Sequence, residues 1–123
     1  MQAGRRDSGN NCPQYNLVTW NVRGLASSSK RRQIRSYLIR YNIHMAFLQE
    51  THMSKERLAI TQRSWGGTLV GTSVSSFARG VLIWIARGVP YVITAQTIDP
   101  EGRYIIIEGQ LDGSPLTLAT VYA

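Results

Sequence analysis

Cysteine is nearly absent from this chain. Cys12 stands alone among 123 residues, so no intrachain disulfide can form and a thiolate metal cluster is excluded. Long apolar runs are also missing. The longest, Val81 to Ala86, is far shorter than the about 20 residues that cross a bilayer. The first fourteen residues are polar and contain no apolar core of the kind a secretory leader carries. These features point to a reducing, intracellular compartment and to no membrane partner. Acids are scarce, with seven Asp and Glu against fourteen Lys and Arg, which gives a net charge of +7. Lysine is scarcer still: two Lys against twelve Arg. Neither a GxGxxG nor a P-loop pattern occurs, and there is no GxSxG elbow. Nucleotide cradles and esterase-type nucleophiles of those kinds are therefore excluded, and no small-molecule organic cofactor is expected. Only two histidines occur, His44 and His52, and one His cannot make a zinc site.

What remains is a globular composition, 43% hydrophobic and 17% charged, in a length suited to one domain or part of one. The charge is carried by guanidinium, which grips phosphate with a bidentate fork where ammonium offers a point charge. A polyanion is the expected partner, and nucleic acid the first candidate.

Met1 to Gln14 reads as a loose, disordered tail, with Arg5 and Arg6 solvated, and residues 15–123 as one domain. Tyr15 to Trp20 is rich in β-formers and predicts a strand. Asn21 to Ser29 is a loop whose serines can cap a helix. From Lys30 to Tyr41, Ile34, Tyr37, Leu38 and Tyr41 recur at helical spacing, which predicts one apolar face, with Arg31, Arg32, Arg35 and Arg40 solvated off it. Ile43 to Gln49 predicts a buried strand. Strand, helix, strand over this distance is a βαβ unit with parallel strands. Ligands of parallel α/β sheets bind beyond the carboxyl ends of strands, and neighbouring strand ends lie about 5 Å apart. Asn21 and Glu50 occupy those ends. Ser54 to Gln62 predicts a short helix, capped by Ser54 and ended by Gly66 and Gly67. Five short strands then follow: Thr68–Thr72, Gly80–Ala86, Tyr91–Thr97, Tyr104–Glu108 and Leu116–Tyr122. The turn sequences Asp99-Pro100-Glu101-Gly102 and Asp112-Gly113-Ser114-Pro115 separate them in an antiparallel meander. Ser73 to Ala78 reads as a polar loop over substrate or facing water.

Phosphodiester hydrolysis needs a cation to neutralise phosphate, a positioned water and a way to stabilise the leaving oxygen. Magnesium takes few carboxylates and keeps several waters. Glu50 suits that role, being the only acid between Asp7 and Glu56. Asn21 can donate to a phosphoryl oxygen and accept from a neighbour. His52 is placed to approach phosphate. Arg79-Gly80 either reaches phosphate or makes a tight turn. Trp20 reads as core and His44 as structural.

Five blocks then stand in one order: Leu17-Val18-Thr19-Trp20-Asn21-Val22-Arg23-Gly24-Leu25, Phe47-Leu48-Gln49-Glu50-Thr51-His52, Arg79-Gly80-Val81-Leu82-Ile83, Glu101-Gly102-Arg103-Tyr104-Ile105 and Thr120-Val121-Tyr122-Ala123. They resemble the endonuclease/exonuclease/phosphatase superfamily, most closely the apurinic-type endonuclease domain of long interspersed element retrotransposons. The resemblance implies a two-sheet α/β sandwich of the DNase I-like type, only its N-terminal half present, in residues 15–123. It implies Mg²⁺ as cofactor, with Mn²⁺ as a substitute, and DNA as partner through its phosphate backbone, in an intracellular setting with the nucleus as a candidate compartment. By the same resemblance Asn21 organises the phosphate network and shares the metal with Glu50, the metal-binding glutamate. Tyr122 is the tyrosine near the scissile phosphate, and Arg23, Thr51, His52 and Arg79 are set to contact phosphate. The family's later Gly-Asp-Phe-Asn and Ser-Asp-His segments are not in this sequence. The expected function is half of a Mg²⁺-dependent DNA endonuclease, inactive as this piece alone. The alternatives are a non-catalytic nucleic-acid-binding remnant and an inositol or lipid phosphatase of the same superfamily.

Overall fold

The computed structural model describes residues 14–73 and 79–122. Most of the expected tail and most of the polar loop after Ser73 lie outside the described residues. The chain runs β1 (Leu17–Asn21), α1 (Ser28–Arg40), β2 (Met45–Gln49), α2 (Lys55–Trp65), β3 (Thr68–Gly71), β4 (Val81–Ile85), β5 (Tyr91–Ile98), β6 (Tyr104–Leu111) and β7 (Ser114–Val121).

The first half is the βαβ unit that its periodicity predicts. β1 and β2 are parallel and in register, Leu17 opposite Met45 and Asn21 opposite Gln49. α1 forms the crossover. It opens at Ser27, whose hydroxyl accepts from the Lys30 N–H, and the Tyr41 N–H closes it onto the Tyr37 and Ile39 carbonyls. The first turn holds no acid to complement the helix dipole. Its cations turn instead to nearby carbonyls: Lys30 Nζ donates to Val22 O, and Arg31 to Leu25 O and Ala26 O. α2 is capped by Ser54 in the same manner and runs to Trp65, three residues beyond the expected end at Gln62, until Gly66 turns the chain at φ +71°.

β4 then enters antiparallel between β2 and β3, giving a four-stranded sheet of order β1-β2-β4-β3. β5, β6 and β7 form a separate antiparallel meander. The second of its turns is tighter than the turn sequence suggests: Asp112 and Gly113 alone make it, and Ser114 and Pro115 already pair within β7. The two sheets stack, β7 lying over β2 and β4 and β6 over β4.

Two cores result. Ile34, Leu38, Leu48, Leu58, Trp65, Leu82 and Trp84 pack between the helices and the first sheet, and Met45, Val81, Ile83, Ile85, Ile105, Ile107 and Leu118 between the sheets. β4 is buried along its whole length, which explains why it is the longest apolar run of the chain: a strand covered on both faces does not alternate. One expectation is corrected here. Of the four apolar positions of α1, only Ile34 and Leu38 are buried; Tyr37 and Tyr41 remain 41% and 53% exposed. They flank the buried stripe and stack in series against half-buried Trp20, with ring centroids 4.8 Å apart for Trp20–Tyr37 and 4.4 Å for Tyr37–Tyr41. Trp20 therefore packs against the edge of the core rather than inside it.

Candidate active site at the strand ends

The site is built where β1 and β2 end together. Because Asn21 is in register with Gln49, the next residue, Glu50, emerges beside it, and Asn21 Nδ2 donates to Glu50 Oε2 at 2.8 Å. The Asn21 oxygen is engaged as well, accepting from the Arg23 N–H at 3.1 Å. The amide thus clamps the carboxylate while being held from behind. The Glu50 side chain is 24% exposed, so it is accessible without being loose.

Beyond the strands the backbone stays laced. Val22, Gly24 and Leu25 donate to the carbonyls of Gln49, Glu50 and Thr51. Thr51 and His52 in turn donate to Gly80 and Arg79, and Gly80 donates to Gly102. Four segments, at residues 22–25, 49–52, 79–80 and 102, are tied in series beside one carboxylate. The lacing holds three non-glycine residues in the left-handed region, Arg23 at φ 54°, Glu50 at 55° and His52 at 53°. Each such residue costs on the order of 1 kcal/mol or more, and the surrounding structure has to enforce it. No sequence signal marks these three positions, because none is glycine.

The other candidate residues take distinct places. His52 Nε2 is buried without a hydrogen-bond partner among the described residues and lies 3.7 Å from Glu50 Oε1. Thr51 is fully buried behind the carboxylate, its hydroxyl also unpartnered among the described residues, against Gly80. Arg79 is paired with Glu101 at 2.9 Å. Arg23 is exposed beside Asn21. Tyr122 follows β7, its N–H donating to Arg103 O and its ring half-buried against the core between the sheets. Asn21, Glu50 and His52 meet; Arg79 and Thr51 support them through the backbone.

Two supporting residues were not read from the sequence as part of the site, Gln49 and the turn residue Asp99. Gln49 Nε2 lies at about 3.0 Å from Thr19 Oγ1 and Thr120 Oγ1 and 2.9 Å from Phe47 O, which ties β1 and β2 to β7 directly below the site. A glutamine inside an apolar strand is the one signal that could have marked it. Asp99 organises the turn that Arg79 and Gly80 touch. Its carboxylate accepts from the backbone N–H groups of Glu101 and Arg103 and from Arg103 Nε. The Arg103 hydrogen bond, helped by those two N–H groups, holds the Asp99 carboxyl below the usual carboxylate range despite its burial. A depressed carboxylate contributes stability above its unfolded value, near 4, and loses it as pH falls through its folded value. Asp99→Asn is therefore expected to lower Tm at pH 7, with the gap to the parent closing below about pH 4; thermal melts across that range check it.

A divalent cation fits this donor set in the way magnesium allows, through one accessible carboxylate with water filling the remaining positions. Among the described residues no three of His, Cys, Asp and Glu gather into a cluster, so a cage made wholly of this chain's side chains is not what the site offers.

A parallel strand pair that delivers a clamped carboxylate to its carboxyl edge, within two stacked sheets, defines an α/β sandwich of the DNase I-like class. Residues 18–122 match the model of the Endonuclease/Exonuclease/phosphatase family, and the chain belongs to that family. Solved structures agree. The AP endonuclease LMAP from Leishmania major superposes with a TM-score of 0.64 at 18% identity, over 88% of this chain and 40% of that one. TDP2 from D. rerio, complexed with a single-strand DNA product, gives 0.62 at 20%, over 85% and 44%. The 3′ phosphatase NExo from Neisseria, bound to a product DNA hairpin, gives 0.64 at 21%, over 89% and 41%. At these identities the likeness is one of fold, and the chain spans less than half the length of these structures. Among the described residues no helix is long and apolar enough to cross a membrane.

Proposed function

We propose that this chain is the N-terminal half of a Mg²⁺-dependent DNA endonuclease domain of retrotransposon origin, inactive as this piece alone. The observation that carries the reading is the 2.8 Å bond from Asn21 to Glu50 at the ends of adjacent parallel strands. In this reading Glu50 holds the cation, and Asn21 fixes the carboxylate's rotamer with its amide N–H while its oxygen keeps one lone pair for the ion. A bound Mg²⁺ supplies charge neutralisation at the phosphate and a more acidic water. Arg23 and Arg79 set the phosphate backbone in place, His52 and Thr51 brace Glu50, and Tyr122 lies by the scissile phosphate. The DNA-bound states of the D. rerio and Neisseria proteins and the net charge of +7 support DNA as the partner. Retroelement origin rests on the Leu48-Gln49-Glu50-Thr51-His52 block. Among the described residues no further acid gathers with Glu50 and His52 into a cluster, and in this reading the piece alone is expected to be inert.

Plasmid nicking tests this. The purified chain is expected to leave supercoiled DNA intact in Mg²⁺, whereas a domain completed with the second half of a solved relative nicks it. Robust Mg²⁺-dependent nicking by the 123-residue chain, abolished by Glu50→Ala, overturns the inactivity. Hydrolysis of inositol phosphates but not of plasmid by the completed domain turns the assignment to a phosphatase. The sparse donor set favours one second reading, a non-catalytic nucleic-acid-binding remnant. Its mark is salt-dependent DNA binding that needs no Mg²⁺ and ignores Glu50→Ala.

A further inference from the structure

The positive charge of the chain is not spread evenly over it. α1 carries Lys30, Arg31, Arg32, Arg35 and Arg40, and α2 carries Lys55, Arg57 and Arg63 against the single acid Glu56. These two helices hold the whole net charge of +7, because the six cations and six acids of the remaining sequence cancel. The contacts show the same division. Arg79 pairs with Glu101 and Arg103 with Asp99, whereas among the described residues no carboxylate pairs with a helix cation. Both helices cover the face of the first sheet that is turned away from the meander. The uncompensated charge therefore lies on the helical layer and not around Glu50.

These cations converge on a cleft between the helices. It has a volume of about 370 Å³, and its lining includes Arg31, Arg32 and Arg35, the hydroxyl-bearing Ser28 and Ser64, and no acid. Helical spacing alone puts Arg31 and Arg35 in water; both are instead partly buried. Backbone carbonyls hold them, Leu25 O and Ala26 O at Arg31 Nη1 and Trp65 O at Arg35 Nε. Arg31 Nη2 and both Nη groups of Arg35 have no partner among the described residues. The carbonyls fix these guanidinium groups without neutralising them. Burial, followed by the like charges of Arg57 on α2 and of Arg32, presses the pKa of Arg31 below its ordinary value. Like charges gathered in a partly buried cleft without a counter-charge make a seat for an anion.

We propose that the cleft between α1 and α2 is a seat for the phosphate backbone of a nucleic acid, separate from the strand-end site and independent of its metal. Arg31, Arg32 and Arg35 take one backbone phosphate in the cleft, and the exposed Arg40, Arg57 and Arg63 neutralise its neighbours. Six of the eight helix cations are arginine, whose fork matches phosphate oxygens. A free phosphate would fill the cleft but leave the exposed cations around it unpaired. A lipid surface would ask for apolar side chains to insert beside the cations, and the helices expose only Ile39 and Ile60 as large aliphatic side chains. The inference goes beyond the reading of the strand ends: chemistry belongs to that site, and sequence-independent grip to the helical face.

The test needs neither Mg²⁺ nor hydrolysis, so failure of the cleft leaves the nuclease reading standing, and failure of that reading leaves the cleft. The probe is a fluorescent duplex oligonucleotide, titrated with the purified chain in metal-free buffer over a range of salt concentrations. The double variant Arg32→Gln/Arg57→Gln is expected to weaken binding about tenfold or more at low salt and to reduce the slope of log affinity against log salt by about two. Both side chains are exposed, so far-UV circular dichroism is expected to be unchanged. A second measurement uses the unaltered chain: the duplex is expected to protect Arg31, Arg32, Arg35 and Arg57 from modification by phenylglyoxal, read by mass spectrometry. An unchanged salt slope in the double variant overturns the proposal, as does protection confined to Arg23 and Arg79. Binding of inorganic phosphate or of phosphatidylserine vesicles, with none of the duplex, overturns it too.

Discussion

Glu50→Gln is expected to lower the affinity of the chain for Mn²⁺, read by water-proton relaxation, by roughly 10–100-fold. In a completed domain it is expected to cut Mg²⁺-dependent nicking on the order of a thousandfold, because the several kcal/mol that a bound cation lends to the transition state depend on its ligand. Glutamine preserves size and still accepts the Asn21 hydrogen bond through its oxygen, so the fold is a control rather than a casualty. Asn21→Ala should give a smaller loss of Mn²⁺ affinity, since it removes the clamp and a neutral donor but leaves the charged carboxylate in place. The pair of results separates the charged ligand from its neutral neighbour. If Mn²⁺ binds the Glu50→Gln chain as tightly as the parent, the carboxylate is not the ligand and the metal assignment fails.

Gly80→Ala is expected to destabilise the chain by about 3 kcal/mol, combining a backbone term for leaving glycine at φ +118° with a steric one. A methyl group there would run into Thr51 Oγ1 and come within 3.1 Å of the His52 backbone nitrogen. Thr51 is fully buried and has no room to retreat. Gly113→Ala supplies the comparison: φ is +85° but nothing lies within 4 Å, so only the backbone term of about 1 kcal/mol applies. Urea denaturation of both variants measures the difference. Equal losses would mean that Gly80 is kept only for its dihedral angle. A much larger loss at Gly80, together with weaker Mn²⁺ binding, would mean that the close approach of the Arg79–Gly80 segment to Thr51 and His52 also holds Glu50 in place.

The positions of Asn21 and Glu50 were legible in the sequence because a βαβ unit has few geometric options. Two apolar strands joined by an amphipathic crossover must run parallel, and parallel neighbours end side by side. The order β1-β2-β4-β3 was not legible. Nothing in the run Val81 to Ile85 states which strands it separates, and the sequence reading took it only as one short strand of five; its burial on both faces is seen in the structure. The periodicity of α1 misled at Tyr37 and Tyr41, because helical spacing cannot distinguish a residue facing the sheet from one stacked at the rim of the buried stripe. Arg79 had two readings, phosphate contact or tight turn. Its pairing with Glu101 depends on a distant turn being brought alongside, which no local pattern encodes. Gln49 was quoted only as part of a motif, and its link to Thr120 spans the two sheets.

β4 belongs to both cores at once: Leu82 and Trp84 complete one, and Val81, Ile83 and Ile85 the other. Neither layer can be taken apart without stripping one face of the strand that the other requires. The helices with their sheet and the meander therefore form one cooperative unit rather than two foldons, and heat or denaturant should dissolve them together.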